Sequence, residues 1–198
     1  MYVLLLSLDS IDICAINFKL KKNKMAQFQI QQASSTVNWT GKKVLGLHTG
    51  SINIANGFIE ITDNIIVGGE IQIDMTSIVI TDIEDKKTNQ DFLAHLLNDD
   101  FFSVDKFKTA KLTLTGSCKI ESDKFKIDGN LTIKDISHPI NFIATVETFT
   151  DTLHSLGEVV IDRTLYNIRY GSGKFIDNLG DKLIYDDFVL QFKLVGQA

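Results

Sequence analysis

The sequence predicts an all-β fold: an antiparallel barrel of about eight strands with one short helix at about 88–98. Three observations carry that prediction. The first is the stretch 124–149, KFKIDGNLTIKDISHPINFIATVETF. There Phe125, Ile127, Gly129, Leu131 and Ile133 fall on one side of a two-residue period. Lys124, Lys126, Asp128, Asn130, Thr132 and Lys134 fall on the other. After 135–139 the alternation resumes with Ile140, Phe142, Ala144 and Val146, giving a hairpin of two long strands with one dry and one wet face. The second observation is length: strands of about ten residues exceed the usual ~5–6, and a large antiparallel sheet loses its edges by closing. The third is that a helical period surfaces in one place only.

The bulk numbers agree. A chain of 198 residues suits one domain and can bury a sizeable core. One proline among 13 glycines argues against disordered linkers. A net charge of −5 and a pI near 5.3 exclude a basic nucleic-acid footprint at the level of the whole chain. No apolar run reaches the ~18 residues that a spanning helix needs. Cys14 and Cys118 make no disulfide framework, and Cys118 alternates with Leu112, Leu114 and Ile120 as a buried free thiol would.

Residues 1–24, MYVLLLSLDSIDICAINFKLKKNK, have the look of a targeting segment without its grammar. The lysines follow the apolar part, Asp9 and Asp12 interrupt it, and no small-x-small site follows. They read as a disordered extension or a non-native start ahead of Met25, leaving 25–198 as the barrel domain. Without them the chain has 16 basic and 23 acidic residues, a balance unfavourable for anionic lipid surfaces.

From Met25 the elements follow in order. Residues 33–43 read as a strand ending in a Gly-containing turn, with Trp39 as core, as a plug at a barrel end or as cavity lining. In 44–54, His48 shares its phase with Val44, Ile52 and Ile54. It reads as a hydrogen-bonded interior or rim histidine, or as a polar anchor for a ligand head group. No second ligand at i+2 or i+4 supports a metal. Asn56-Gly57 signals a hairpin turn. Strands at 58–62 and 65–75 flank Asp63-Asn64, with a bulge or bend at Gly68-Gly69, and 74–78 closes that region. In 88–98 Phe92, Leu93, Leu96 and Leu97 recur at helical spacing, with Thr88 or Asn89 as cap and Asp91 suiting the helix start. Such a helix covers a barrel end. His95 with Asp91 and Asp99 has metal-compatible spacing, although local ion pairs on a solvated face explain it. Residues 108–121 form a strand with Leu112, Leu114, Gly116, Cys118 and Ile120 inward. In 124–149 the turn is placed at 135–139, with Pro139 at a strand start and Gly129 as a bend whose bulging would flip half a strand. Strands at 153–162 and 187–195 complete the sheet, with Val159 and Ile161 in phase on one and Phe188, Leu190, Phe192 and Leu194 on the other.

Three pieces carry a resemblance: DDFFSVDKFKTAKLTLTG at 99–116, LTIKDISHPI at 131–140 and DRTLYNIRYGSGKFIDNLGDKLIYDD at 162–187. In this order and spacing they resemble the YceI family, the lipocalin-like, polyisoprenoid-binding proteins of bacteria, from about residue 33 to the C-terminus. The chain departs from the family pattern at Asp135, where Gly is frequent, at Lys108, where Pro commonly precedes Thr-Ala, and at Asn167, which replaces the Gly after the aromatic. Asn tolerates positive φ, so that last turn can survive.

The resemblance implies an eight-stranded barrel around an elongated apolar cavity that takes a long isoprenoid chain, for storage, transport or sequestration, without catalysis. Thirteen phenylalanines against one Trp and four Tyr suit such a wall, or a solid core built from the same residues. The lining candidates are Phe92, Phe102, Leu112, Leu114, Ile127, Leu131, Ile133, Ile140 and Phe142, together with Trp39. His48 and Arg169 are candidate polar contacts at a mouth. A long-chain isoprenoid or other lipid is the expected ligand, with no cofactor, metal or nucleic-acid partner, and with a homodimer left open. Two other classes remain: an enzyme acting on a lipid, for which His48 is the visible acid or base, and a stress-response or interaction protein with a vestigial cavity. The absence of a credible export signal points to the cytoplasm, whereas the family's habit points to the periplasm.

Other motifs fail on inspection. Gly171-Ser172-Gly173-Lys174-Phe175 resembles a P-loop, but Ile168 stands at the first Gly position and Phe175 replaces the magnesium-binding Ser/Thr. Asp135, Ser137 and His138 are a polar turn, not a triad. Asp162-Arg163 reads as a structural ion pair or turn brace. Asp181, Asp186 and Asp187 could hold calcium weakly, with loop solvation as the plainer account.

Overall fold

The hydrogen-bonded strand order is β1-β3-β2-β9-β8-β7-β6-β5-β4, and β4 returns to pair with β3, so the sheet closes on itself. The structure, a computed structural model, describes residues 25–198. The elements are β1 (Ala26–Ile30), β2 (Thr36–Lys43), β3 (Gly46–Thr62), β4 (Ile65–Ile80), α1 (Lys86–Leu97), β5 (Thr109–Lys119), β6 (Lys124–Ile133), β7 (Ile136–Thr148), β8 (Thr152–Asp162) and β9 (Ile184–Gln197). β2 to β9 make the expected antiparallel barrel, and β1 is the extra strand. β1 and β2 each pair antiparallel with both β3 and β9, so they form one line of chain broken by the 3-10 turn Gln32–Ser34. The strand expected at 33–43 therefore begins later, Gly41 lies inside it, and Val44-Leu45 makes the turn to β3. The readings made of residues 1–24 lie outside the described residues.

Three turn assignments change. Asn56-Gly57 is no hairpin, because β3 runs straight through it. Gly57 is there because β4 passes close: a Cβ on it would stand 2.8 Å from the Glu70 carbonyl oxygen. The turn is Asp63-Asn64, with φ of 51° and 61°, as a type I′ connection requires. The stretch 74–78 does not end β4. The pairing slips from Asn53–Asp74 to Ser51–Val79, residues 75–78 bulge, and the strand resumes to Ile80. Within the bulge Ser77 Oγ accepts the Asn53 N–H at 2.8 Å in place of the ladder. The β6–β7 turn is Lys134-Asp135 (φ 52° and 59°), earlier than 135–139. Pro139 thus lies inside β7, opposite Asn130. It is tolerated because β7 pairs with β8 only over Ala144–Thr148, leaving 136–143 with a strand neighbour on one side. The bend at Gly68-Gly69 is present, with a register slip between Glu60 and Ile61.

β6 alternates without interruption through Gly129, and the bulge lies across from it on β5. Leu114 pairs with Gly129 and Gly116 with Asp128, so Thr115 is the extra residue. Leu112 and Leu114 keep the inward phase, but beyond the bulge Ser117 takes it and bonds to the Ile66 N–H at 3.0 Å. Cys118 is accordingly half-buried, not buried, and Ile120 is exposed.

The helix starts at Lys86 and is capped by Asp85, in place of Thr88 or Asn89. Asp85 Oδ1 accepts from the Thr88 N–H at 2.8 Å and from its hydroxyl at 2.6 Å. Asn89 instead donates to the Ile80 and Ile83 carbonyls, tying the helix to the end of β4. Leu96 is buried, and Phe92, Leu93 and Leu97 pack on the core, so α1 covers one barrel end.

Candidate ligand cavity

The barrel is filled at one end and hollow at the other. Phe28, Phe125 and Leu153 are each no more than 2% exposed and pack the filled end. Toward α1 the same inward alternation leaves a cavity of about 280 Å³. Its walls come from the strands (Ile52, Ile73, Met75, Ile78, Leu131, Ile133, Ile161, Phe188, Leu190). Its cover comes from Phe92 and Leu96 of α1 and from Phe101 and Phe102 just beyond. A second hollow of about 90 Å³ lies deeper, lined by Leu112, Leu114, Ile127, Ile140, Phe142 and Phe192 among others. Ile73, Leu131, Ile161 and Leu190 border both, so these four side chains form the partition.

Polar groups gather at the mouth of the larger cavity: Lys42, Lys43, His48, Arg163, Tyr185 and Asp187. His48 is held by Asp82 in the β4–α1 connection. Its Nδ1 lies 2.8 Å from Asp82 Oδ2, Asp82 Oδ1 accepts the Thr49 N–H at 3.0 Å, and the Phe92 ring lies 4.6 Å away. Burial works against the charge on Asp82, but the Thr49 N–H and the His48 ring outweigh it and hold its pKa below the usual carboxylate value. Trp39 Nε1 is buried and has no hydrogen-bond partner among the described residues.

Arg163 is 3% exposed. It donates through Nε to the Tyr185 carbonyl (3.1 Å), through Nη1 to Ile168 (2.8 Å) and through Nη2 to Ile184 (3.1 Å), and lies 3.7 Å from Asp186. It therefore pins the 3-10 turn Arg163–Tyr166 to the start of β9. Asp162 does not pair with it. Asp162 caps that turn through the Thr164 N–H (2.9 Å) and bonds Lys174 at 2.9 Å, a turn brace as expected, with Lys174 as the ionic partner. Asp186 thus stands between two cations, and the described residues contain no group of three or more potential metal ligands. Asp91 and Asp99 pair with Lys87 and Lys106, while the His95 ring lies against Phe101 and Tyr170. Asn167 adopts the left-handed conformation (φ 58°, ψ 31°) that its place in the turn requires.

Of the residues singled out in the sequence, Trp39, His48, Phe92, Phe102, Leu131 and Ile133 line the larger cavity. Leu112, Leu114, Ile127, Leu131, Ile140 and Phe142 line the smaller. Arg169 lines neither. Its guanidinium sits 4.6 Å over the Phe175 ring, because Ile168, 0% exposed, takes the inward slot after the Asn167 turn. Sequence reasoning missed Arg163, Met75 and Phe101 as lining. Phe188 and Leu190 carried the signal, since both sit in the inward phase of the last strand.

A family model described as a YceI-like domain matches residues 28–196. No curated protein matches the chain. Among solved structures the chain is similar to Burkholderia cenocepacia BcnA, at 21% identity and TM-score 0.67, over 84% of this chain and 98% of that one. It is also similar to a polyisoprenoid binding domain from Saccharophagus degradans (16%, TM-score 0.63, 88% and 99%) and to the Campylobacter jejuni YCEI protein (15%, TM-score 0.54, 100% and 98%). At these identities the likeness is one of fold.

Proposed function

The chain belongs to the YceI-like domain family, and from that premise we propose that it binds a long-chain isoprenoid or similar amphiphile in the barrel cavity, to store, carry or sequester it, without catalysing a reaction. The observation that carries this reading is the division of the cavity: apolar walls over its depth, with the polar side chains confined to the mouth. An isoprenoid tail has no polar handle, so its affinity must come from burial, at about 0.8 kcal/mol per CH₂ before the cost of ordering the chain. The head group would stay at the mouth, within reach of the polar side chains there. The Saccharophagus degradans domain, described as binding a polyisoprenoid, has the same fold and supports the assignment of ligand class.

Among the described residues, no Ser, Thr or Cys lines the larger cavity beside His48, whose Nδ1 is already engaged by Asp82. That arrangement favours a binding role over a hydrolase using the same pocket. The deciding experiment is organic extraction of the purified protein followed by mass spectrometry, with uptake of added isoprenoids as a second arm. A bound or acquired long-chain amphiphile is the expected result. Protein that carries none and takes up none overturns the reading.

A further inference from the structure

The β2–β3 turn projects an apolar tip beside the cavity mouth. Leu45 is 70% exposed, Leu47 50% and Val44 46%. In an ordinary hairpin a tip of this kind is polar, because exposed apolar side chains at three nearby positions gain nothing from water. Two lysines precede the tip, Lys42 opposite Leu47 and Lys43 opposite Gly46, and neither has an ion-pair partner among the described residues. Both also line the larger cavity. The tip is held in place, since the Val44 N–H donates to the Leu183 carbonyl at 3.2 Å, next to the start of β9.

We propose that this turn is the surface with which the protein docks on an anionic lipid bilayer, so that the cavity opens toward the membrane from which its ligand is drawn. The proposal rests on the carrier reading above. Two features select a lipid surface. Unpaired lysines beside exposed leucines are the combination an anionic headgroup layer accepts, with the apolar tips below the headgroups and the ammonium groups among them. The same lysines border the cavity, so whatever the tip touches is also what the mouth faces. The chain as a whole is acidic, with a net charge of −5, so its far field opposes approach. Docking is therefore local and shallow, and it weakens as salt screens the two lysines.

Co-sedimentation of the full chain with lipid vesicles tests this, using phosphatidylcholine alone or with about 30 mol% phosphatidylglycerol as the anionic arm. Vesicles with the anionic lipid should bind the protein, and Leu45→Glu with Leu47→Glu should lower that partitioning by about tenfold. Both positions are exposed and line neither cavity, so this variant should still take up isoprenoid from detergent solution. Absence of binding to either vesicle overturns the proposal, as does binding that the variant leaves unchanged. So does a native chain that dimerises through this turn, seen as a loss of dimer in the variant by size exclusion. If no isoprenoid is taken up from detergent by either protein, it is the carrier reading that fails, whatever the vesicles show.

Discussion

The Trp39 indole packs so tightly against Gly50 of the neighbouring strand that a Cβ at Gly50 would overlap its Cζ2 and Cε2 and the carbonyl oxygen of Val79. Gly50 is therefore what lets the indole lie along the cavity wall and β4 pass behind it. Gly50→Ala should cost about 2–4 kcal/mol, because one of the clashing atoms is backbone and cannot rotate away. Trp39 is the chain's only tryptophan, so its fluorescence reports the local change directly. Urea unfolding with an unchanged midpoint would show that the contact has room to relax.

Arg163 satisfies three carbonyl oxygens at the cavity mouth while buried with Asp186 nearby. Arg163→Met should cost about 3–5 kcal/mol, since it strands those carbonyls and leaves Asp186 only Lys174. Arg163→Lys should recover little, because a point charge cannot reproduce a fork of three donors. Denaturant midpoints of the two variants check this, and a Lys variant as stable as the native chain would contradict it.

The Asp82–His48 contact gives a pH dependence with a definite sign. The Asp82 pKa is lowered in the folded chain: burial opposes the charge, and the Thr49 N–H and His48 outweigh that opposition. A carboxylate of this kind stabilises the fold above its unfolded pKa, near ~4, and loses that contribution as pH falls through its lower folded value. Native stability should therefore decline below about pH 4, and Asp82→Asn should flatten part of the decline. Asp162, lowered against burial by its Lys174 and Thr164 bonds, supplies another part, so the slope shrinks without vanishing. Thermal melts between about pH 2 and 6 read the difference.

The legibility of this chain followed its periodicity. β6 reads straight off the sequence because Phe125, Ile127, Leu131 and Ile133 never lose phase, and nine of the twelve nominated contact residues follow from such patterns or from the helical spacing at Phe92. The failures sit where the backbone breaks its own period. Thr115 adds one residue to β5, and Cys118 and Ile120 turn outward in consequence. Nothing in TLTGSCK announces it, since the bulge is set by the pairing with β6 across Gly129. Asn56-Gly57 has turn chemistry, yet its glycine answers a close approach by β4, which is a tertiary fact. Arg169 misled because a basic residue near a Gly-rich loop looks like a ligand contact, while the buried contact was Arg163, whose partners are two carbonyls of β9 and that of Ile168.

Leu131 is the residue whose removal should change what the cavity holds. With Ile73, Ile161 and Leu190 it separates the hollow of about 280 Å³ from that of about 90 Å³. It is only 9% exposed, so Leu131→Ala should cost about 2–5 kcal/mol for the lost packing. The same deletion takes away one side of the partition and should let a chain lying in the larger cavity extend toward Phe142. If the depth of the apolar wall sets ligand length, the variant should retain longer isoprenoids than the native chain when both are offered a mixture, as read by mass spectrometry of extracted lipid. Leu131→Trp makes the opposite case, filling the partition and shifting retention toward shorter chains at smaller cost to the fold. Identical length distributions for the native chain and both variants would mean that the ligand stops above Leu131 and that the deeper hollow is only a packing void.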